Sequence, residues 1–263
     1  MRSFTKQQFQ DVDDRTEQLS DLAAKHPDLF GEFLSKLELS WIYHENALEG
    51  VVVTHAELIT ALKGKPIAPD TYHAIRNLKL AMDVMRRASA REDAGPINLE
   101  FIRSLHDAVR GSNETESDAG KYRKFIPLHR TYFHEIAQPA SIAPRMTRLM
   151  EWAAEHDPAD EDAIPFAARL HHEFMSIFPF PKHSGMVGRL LVNYVLMRHG
   201  YVPVIFHASE RQAYYETLKH SPKETEAFLN QMMMNCIDNA TKFINNALVE
   251  RDKEAFRQQL AVG

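Results

Sequence analysis

Two apolar helical segments that follow one another almost directly constrain the fold of this chain more than any other feature. The first, FAARLHHEFMSI, spans residues 166–177, and the second, SGMVGRLLVNYVLMRHG, spans residues 184–200. A helix that is apolar on most of its surface is typical of a protein interior. The six residues between them, FPFPKH, include two prolines, a lysine and a histidine. We therefore expect two buried helices joined by a loop that exposes polar backbone groups.

The rest of the chain also favours helix. Ten glycines and thirteen prolines in 263 residues are few for a β-rich protein. Thr54 and Glu57 have the spacing of a capping box, and Asn98 and Gly111 have the positions of an N-cap and a C-cap around a further helix. The sequence predicts an all-α fold.

Three segments add detail to the all-α prediction. Residues 16–39 are broken around Pro27 and Gly31, which predicts two short helices, followed by a loop up to Thr54. Residues 121–136 carry near-alternating aromatic and β-branched residues, which indicates a short β-hairpin. The last helix begins at Ser221-Pro222 and runs past Leu248.

Domain organisation follows from what is absent in the sequence. We find no internal repeat, no low-complexity tract and no long linker, and we expect a single folding unit. It comprises an N-terminal helical region (1–95), a core (96–220) and a C-terminal helix packed against them (221–263).

Charge and cysteine content exclude several classes of function. A net charge of −5 gives no general reason to bind nucleic acid or an anionic membrane, and no stretch is apolar enough for a membrane span. The single cysteine, Cys236, cannot form an intramolecular disulfide and suits a reducing compartment. We expect a cytoplasmic protein with neither nucleic-acid nor membrane partners, although export without an N-terminal signal stays open. No His/Cys set has the spacing of a zinc site.

The segment from Phe178 to Arg189, FPFPKHSGMVGR, resembles the motif H-P-F-x-[D/E]-G-N-G-R-x-x-R of the Fic family. The resemblance extends to the surroundings, because GKYR at 120–123 and RQAYYETLK at 211–219 are similar to the segments that flank the motif in that family. It covers roughly residues 35 to 220 and implies a compact helical bundle with a β-hairpin flap.

The resemblance to the Fic family implies an activity: transfer of AMP, or a related phosphorylated group, from a nucleotide to a target hydroxyl. That chemistry needs a base to take the hydroxyl proton, a carboxylate to hold Mg²⁺ and an arginine to pair with phosphate. Phe178, Lys182 and Met186 stand at those three positions. We therefore predict that ordinary Mg²⁺-dependent AMP transfer and the metal site are both absent.

The remaining loop residues predict an anion site. Lys182 and His183 would add positive potential at the start of a helix. Ser184, Gly185 and Arg189 are then candidate residues for binding an anionic or phosphate-bearing ligand, such as a nucleotide without Mg²⁺. Two alternatives stay open. In one, Lys182 and His183 are catalytic residues of a divergent, metal-independent enzyme acting with Arg189, and in the other they are solvated loop residues without a role.

The segment HENALEG at 44–50 resembles the inhibitory segment S-x-A-I-E-G of the family, whose glutamate pairs with the second arginine of the motif. These residues correspond to Glu49 and Arg189, while Glu45 stands in place of the serine. We favour a structural pair over a regulatory switch, because little chemistry is left to inhibit. The resemblance also implies a protein or small-molecule ligand in the cleft, and a homodimer.

Overall fold

The structure is a computed structural model, and it describes residues 6–91, 95–111, 120–127, 134–157 and 162–262. These ranges hold ten α-helices: α1 (Lys6–Lys25), α2 (Pro27–Leu48), α3 (His55–Leu62), α4 (Pro69–Ser89), α5 (Leu99–Arg110), α6 (Ile142–Glu155), α7 (Ala163–Ile177), α8 (Ser184–Arg198), α9 (Arg211–Thr217) and α10 (Pro222–Val262). Two single turns of 3₁₀-helix, Pro139–Ser141 and Ala208–Glu210, precede α6 and α9. The predicted all-α fold is confirmed.

The centre of the fold is the pair α7 and α8. α7 packs against α6, α8 and α10, and α8 packs also against α4 and α5. Every residue of α8 from Ser184 to Leu196 is buried. The two helices approach closely at Gly188, where an added Cβ would lie 3.1 Å from both the Met175 sulfur and a ring carbon of Phe174. The expectation of two buried helices joined by a loop therefore holds.

Local capping explains where several helices begin. The Thr54 hydroxyl accepts the Glu57 N–H at 3.2 Å, and the Glu57 carboxylate accepts the Thr54 N–H at 2.9 Å, so the predicted capping box is present. The Asn98 side chain accepts the N–H of Phe101 at 2.9 Å. Each bond satisfies a backbone donor that has no partner within its helix.

The prediction for the N-terminal region was wrong in two respects. α1 and α2 meet at Pro27, but Gly31 lies inside α2, and α2 continues to Leu48 through residues for which we predicted a loop. Trp41 and Ile42 are buried in this part of α2, and that burial outweighs the weak helix propensity of a single glycine. Residues 44–48 of the inhibitory-like segment are consequently the last turn of α2, and Glu49 is the C-cap of that helix.

The predicted hairpin is not present in the described residues. Residues 121–127 and 134–138 contain no strand, and residues 128–133, the middle of the predicted hairpin, lie outside the described ranges. α10 runs well past Leu248, as predicted. Within the described ranges, every helix is too short or too polar to serve as a membrane span.

Candidate functional site

The loop between α7 and α8 begins and ends on a residue in the left-handed conformation. Phe178, the C-cap of α7, has φ 48°, and His183, the N-cap of α8, has φ 61°. This region costs a non-glycine residue about 1–2 kcal/mol, so neighbouring contacts must hold it. The buried Ser184 hydroxyl supplies one: it donates to the Phe180 carbonyl at 3.0 Å and accepts the Phe180 N–H at 2.8 Å. Ser184 thus closes the loop at its α8 end.

Arg123, near the start of the segment predicted as a hairpin, fixes the other end of the loop. Its Nε donates to the Phe178 carbonyl at 2.7 Å, and Nη2 donates to the Ile177 carbonyl at 3.1 Å. Its backbone N–H donates to the Pro179 carbonyl at 2.9 Å. The guanidinium also binds the carbonyls of Phe125 and Ala137. Arg123 therefore caps the end of α7, where carbonyls lack partners within the helix, and burial lowers its pKa from the ordinary value.

Aromatic and apolar side chains fill the inner side of the loop. Phe178 and Met186 are 3% and 4% exposed and belong to the hydrophobic core. Phe180 is fully buried and stacks on the His106 ring of α5, with centroids 3.9 Å apart. Phe178 and Phe180 of the loop and Met186 of α8 do not project into solvent, so this side of the loop presents no reactive group.

The outer side of the loop is cationic. Lys182 is exposed and His183 is half-buried. His106 lies buried behind them, and its pKa is lowered to about 4 by burial and by the nearby positive charge of His183. His106 is therefore neutral at pH 7, and Lys182 is an exposed cation on this side of the loop.

Arg189, in the second turn of α8, is held by the carboxylates of Glu45, in the last turn of α2, and of Glu49, the C-cap of that helix. Its Nη2 lies 2.5 Å from Glu45 Oε1 and 2.6 Å from Glu49 Oε1, and its Nε donates to Glu45 at 2.6 Å. Arg189 and Glu45 are 0% and 1% exposed, whereas the Glu49 side chain is 22% exposed. We call these three residues the arginine clamp. The structure thus brings the predicted Glu49–Arg189 pair together and adds a second acidic partner.

The charges within the clamp influence one another. Burial raises the pKa of Glu45, and the Arg189 guanidinium opposes that rise. For Arg189, burial alone disfavours the charged form, but Glu45 and the other neighbouring groups hold its pKa above the ordinary value. The remaining nitrogen, Nη1, has no hydrogen-bond partner among the described residues. Arg189 is thus a buried cation already engaged by carboxylates.

Tyr214 and His171 form the wall beside the clamp. The Arg189 guanidinium lies 5.8 Å from the Tyr214 ring centroid. His171 Nδ1 lies 3.0 Å from the Gly188 carbonyl, and Nε2 lies 3.0 Å from the Tyr214 hydroxyl. Because a carbonyl can only accept, Nδ1 carries the proton and Nε2 accepts from the tyrosine. Burial lowers the pKa of His171 to about 3, so this histidine is a neutral packing residue.

The family model described as Fic/DOC matches residues 96–196. The chain contains a Fic domain. That domain includes α5 to α7, the loop and most of α8, while the two glutamates of the clamp lie before it, in the last turn of α2 and at its C-cap. The family expected from the motif and its flanking segments is therefore confirmed.

Relatives and solved structures agree with the Fic assignment. The chain is 29% identical over 183 residues to the protein adenylyltransferase Fic of Nematostella vectensis, across 68% of this chain and 42% of that protein. It is 30% identical over 186 residues to the protein of the same name in Drosophila virilis, across 68% and 36%. The chain thus spans about two fifths of the length of these relatives.

The fold is similar to that of solved Fic structures. A Fic-domain-containing signaling protein from Bacteroides thetaiotaomicron superposes with a TM-score of 0.76 at 20% identity, covering 91% of this chain and 97% of the other. Fic-1 from C. elegans has the same TM-score at 19% identity, with coverage of 90% and 71%. At such identities the likeness shows the fold alone.

The residues of this Fic domain do not fit the metal that the family motif implies. Lys182 stands at the position of the acidic ligand, and its ammonium group repels a divalent cation. Among the described residues, no group of three or more His, Cys, Asp or Glu side chains is arranged to hold a metal ion.

Two contributors to the Fic site were missed by sequence reasoning. Glu45 was noted only as a departure from the family's serine, although its spacing of four from Glu49 places both carboxylates on one helix face. His106 lies within the apolar stripe of α5, with Ile102 and Val109. A histidine in such a stripe is a sequence signal for a buried contact, here with Phe180.

Proposed function

We propose that this chain is a Fic-fold protein that does not carry out ordinary Mg²⁺-dependent AMP transfer and that instead binds an anionic, phosphate-bearing ligand beside the start of α8. The observation that carries the proposal is the burial of Phe178 and Met186 in the core. These positions correspond to the base and the first arginine of the family motif. A phenyl ring and a thioether can neither take a proton nor pair with phosphate.

The expected loss of AMP transfer is large. Loss of a general base alone removes about 10²–10⁴-fold in rate. Met186 cannot replace the missing arginine, and Arg189 is engaged by Glu45 and Glu49. The groups that would stabilise charge on a transferring phosphoryl group are therefore absent or occupied.

The anion-binding part of the proposal rests on the outer side of the loop. Lys182 is exposed, and His183 precedes the first turn of a fifteen-residue helix. The first N–H groups of a helix have no partner within it, and the helix dipole favours negative charge at that end. We assign the ligand to Lys182 and His183 at the N-terminus of α8, because Ser184 and Gly185, which the sequence also predicted as ligand residues, are buried. Arg189 is not assigned to it, because it is buried in the clamp.

The alternative, metal-independent catalysis by Lys182 and His183 with Arg189, is weakened by the same geometry. Lys182 is exposed whereas Arg189 is fully buried between carboxylates. A site that joined them would require the clamp to open, with the loss of two ion pairs.

Thermal unfolding with ATP and pyrophosphate tests the binding proposal. We expect both anions to raise the Tm equally with and without Mg²⁺ at constant ionic strength. Lys182→Gln should lose most of the shift, whereas Lys63→Gln, which removes an exposed lysine after α3, should keep it. A Tm increase that requires Mg²⁺ would contradict the proposed role of Lys182.

Label transfer tests the missing activity. With radiolabelled ATP and Mg²⁺, we expect no transfer by the wild-type chain. Phe178→His should not restore transfer, because the metal ligand and the first arginine are still missing. A Fic protein with a complete motif serves as the positive control, and measurable transfer by either form of this chain would overturn the proposal.

A further inference from the structure

A second cationic surface lies between α6 and α7, separate from the loop residues Lys182 and His183. It is a groove of about 300 Å³ at which three arginines, a tryptophan and a single acidic side chain meet. The residues that matter are Arg145, Arg148, Trp152, Arg169 and Glu173. We call this the α6–α7 groove.

The three arginines of the groove have only neutral partners among the described residues. Arg145 donates to the Ser176 hydroxyl at 2.8 Å, and Arg148 Nε donates to the Pro144 carbonyl at 3.4 Å. The Arg169 guanidinium lies over the Trp152 ring, 4.4 Å from its centroid. Their charges are therefore not neutralised by contacts of the fold itself.

This absence of ion pairs is not due to a shortage of acidic residues. The chain has a net charge of −5. Glu151 and Glu155 are exposed on α6, and Glu173 lines the groove. In the part of the chain that the structure describes, none of these three glutamates forms an ion pair with an arginine of the groove. The guanidinium groups remain available to a ligand.

We propose that the α6–α7 groove binds a phosphate monoester. Three guanidiniums and one carboxylate give the lining a net charge of +2, and a phosphate monoester carries about −1.5 to −2 at pH 7. Guanidinium groups also match phosphate oxygens in paired hydrogen bonds, which an ammonium group cannot do. The groove volume of about 300 Å³ lies at the lower end of the range for small-ligand pockets.

Trp152 makes the proposal directly measurable. The chain has two tryptophans, and Trp41 is 1% exposed on α2, outside the groove. A ¹H–¹⁵N spectrum therefore contains two indole signals, one of which reports on the groove. We expect phosphoserine to shift the Trp152 indole signal saturably and to leave the Trp41 signal in place, while sodium chloride at equal ionic strength shifts neither.

Matched variants separate a specific site from general electrostatics. Arg148→Gln and Arg169→Gln remove exposed guanidiniums from the groove, and Arg87→Gln removes an exposed guanidinium from α4. All three change the net charge equally. We expect the groove variants to weaken phosphoserine binding by at least about tenfold, since each removes a charged hydrogen-bond donor, and Arg87→Gln to leave it unchanged. Far-UV circular dichroism confirms that each variant is folded.

A second titration identifies the source of the phosphate. If a phosphoserine hexapeptide binds more tightly than phosphoserine, the ligand is a phosphorylated protein segment; equal affinity indicates a small phosphorylated molecule. Either result supports the groove as a phosphate monoester site. The proposal is overturned if the Trp152 signal does not saturate, or if Arg87→Gln weakens binding as much as the groove variants do.

Discussion

Arg123 and Arg189 are both almost fully buried, at 2% and 0% exposure, and they differ in the charge of their partners. Arg123 donates only to backbone carbonyls, three of them from Ile177, Phe178 and Ala137. Arg189 pairs with the carboxylates of Glu45 and Glu49. The same side chain therefore serves as a helix cap in one place and as the link between two helices in the other.

The difference teaches how the candidate site is built. A guanidinium bound to neutral carbonyls fixes the backbone course of the loop, and its positive charge is not cancelled by those partners. A guanidinium bound to carboxylates joins α2 to α8 and is withdrawn from any phosphate. Arg123 thus fixes the conformation of the loop, while Arg189, which corresponds to the second arginine of the family motif, is already paired with carboxylates.

The largest expected effect comes from removing the charge of the clamp. Arg189→Met leaves Glu45 buried without a cation, and we expect a loss of about 3–5 kcal/mol in the free energy of unfolding, measured by urea denaturation. Glu45→Met combined with Arg189→Met should recover most of that loss, because the buried charges are removed together. A double variant no more stable than Arg189→Met would show that packing, and not the charge, dominates.

Loss of Arg123 should have the next largest effect on the free energy of unfolding. Arg123→Met leaves the final carbonyls of α7 buried without donors, which we expect to cost about 3 kcal/mol in urea denaturation. Arg76→Met, an exposed arginine of α4, is the matched control and should change stability little. If the two variants lose equal stability, Arg123 does not cap α7 as the geometry indicates.

Acid should weaken the packing of His106 against Phe180 of the loop. The folded-state pKa of His106 is lowered from 6.5 to about 4, so its contribution to stability is present above pH 6.5 and is lost as the pH falls toward 4. At pH 5, that loss amounts to about 2 kcal/mol. His106→Phe keeps an aromatic ring against Phe180 and should reduce the fall in unfolding free energy between pH 7 and 5 by this amount. His55→Asn, at an exposed position, is the control, and an unchanged pH dependence in His106→Phe would refute the prediction.

The smallest effect concerns the strain that the loop contacts maintain. His183→Gly relieves a left-handed φ of 61° and should stabilise the protein by about 1 kcal/mol in urea denaturation. The gain should shrink in an Arg123→Met background, since the loop is then no longer held at its α7 end. Equal gains in both backgrounds would mean that Arg123 does not contribute to the strain at His183.

Much of the fold was predictable because its signals are local. The buried pair α7 and α8, the Thr54–Glu57 capping box and the Asn98 cap all follow from periodicity and cap chemistry within a few residues. The continuation of α2 through Gly31 was not predictable in the same way. It depends on the burial of residues such as Trp41 against the rest of the core, which a local pattern does not contain.

The candidate site was predictable only in part. The position of the loop and the Glu49–Arg189 contact followed from resemblance to the Fic family. Other contacts of the site depend on where distant segments of the chain meet. These are the ion pair of Glu45 with Arg189, the stacking of His106 on Phe180 and the capping of α7 by Arg123. The roles of Lys182 and His183 remain predictions that ligand binding will test.

The sequence separation of the clamp has a consequence for how the protein unfolds. Glu45 and Arg189 lie 144 positions apart, so their contact closes a long loop of chain. Such a closure is costly in entropy before the intervening helices are in place, and we expect it to form after the folding transition state. Weakening the clamp should then leave the folding rate nearly unchanged and accelerate unfolding, so the lifetime of the native state depends on one buried ion pair between α2 and α8.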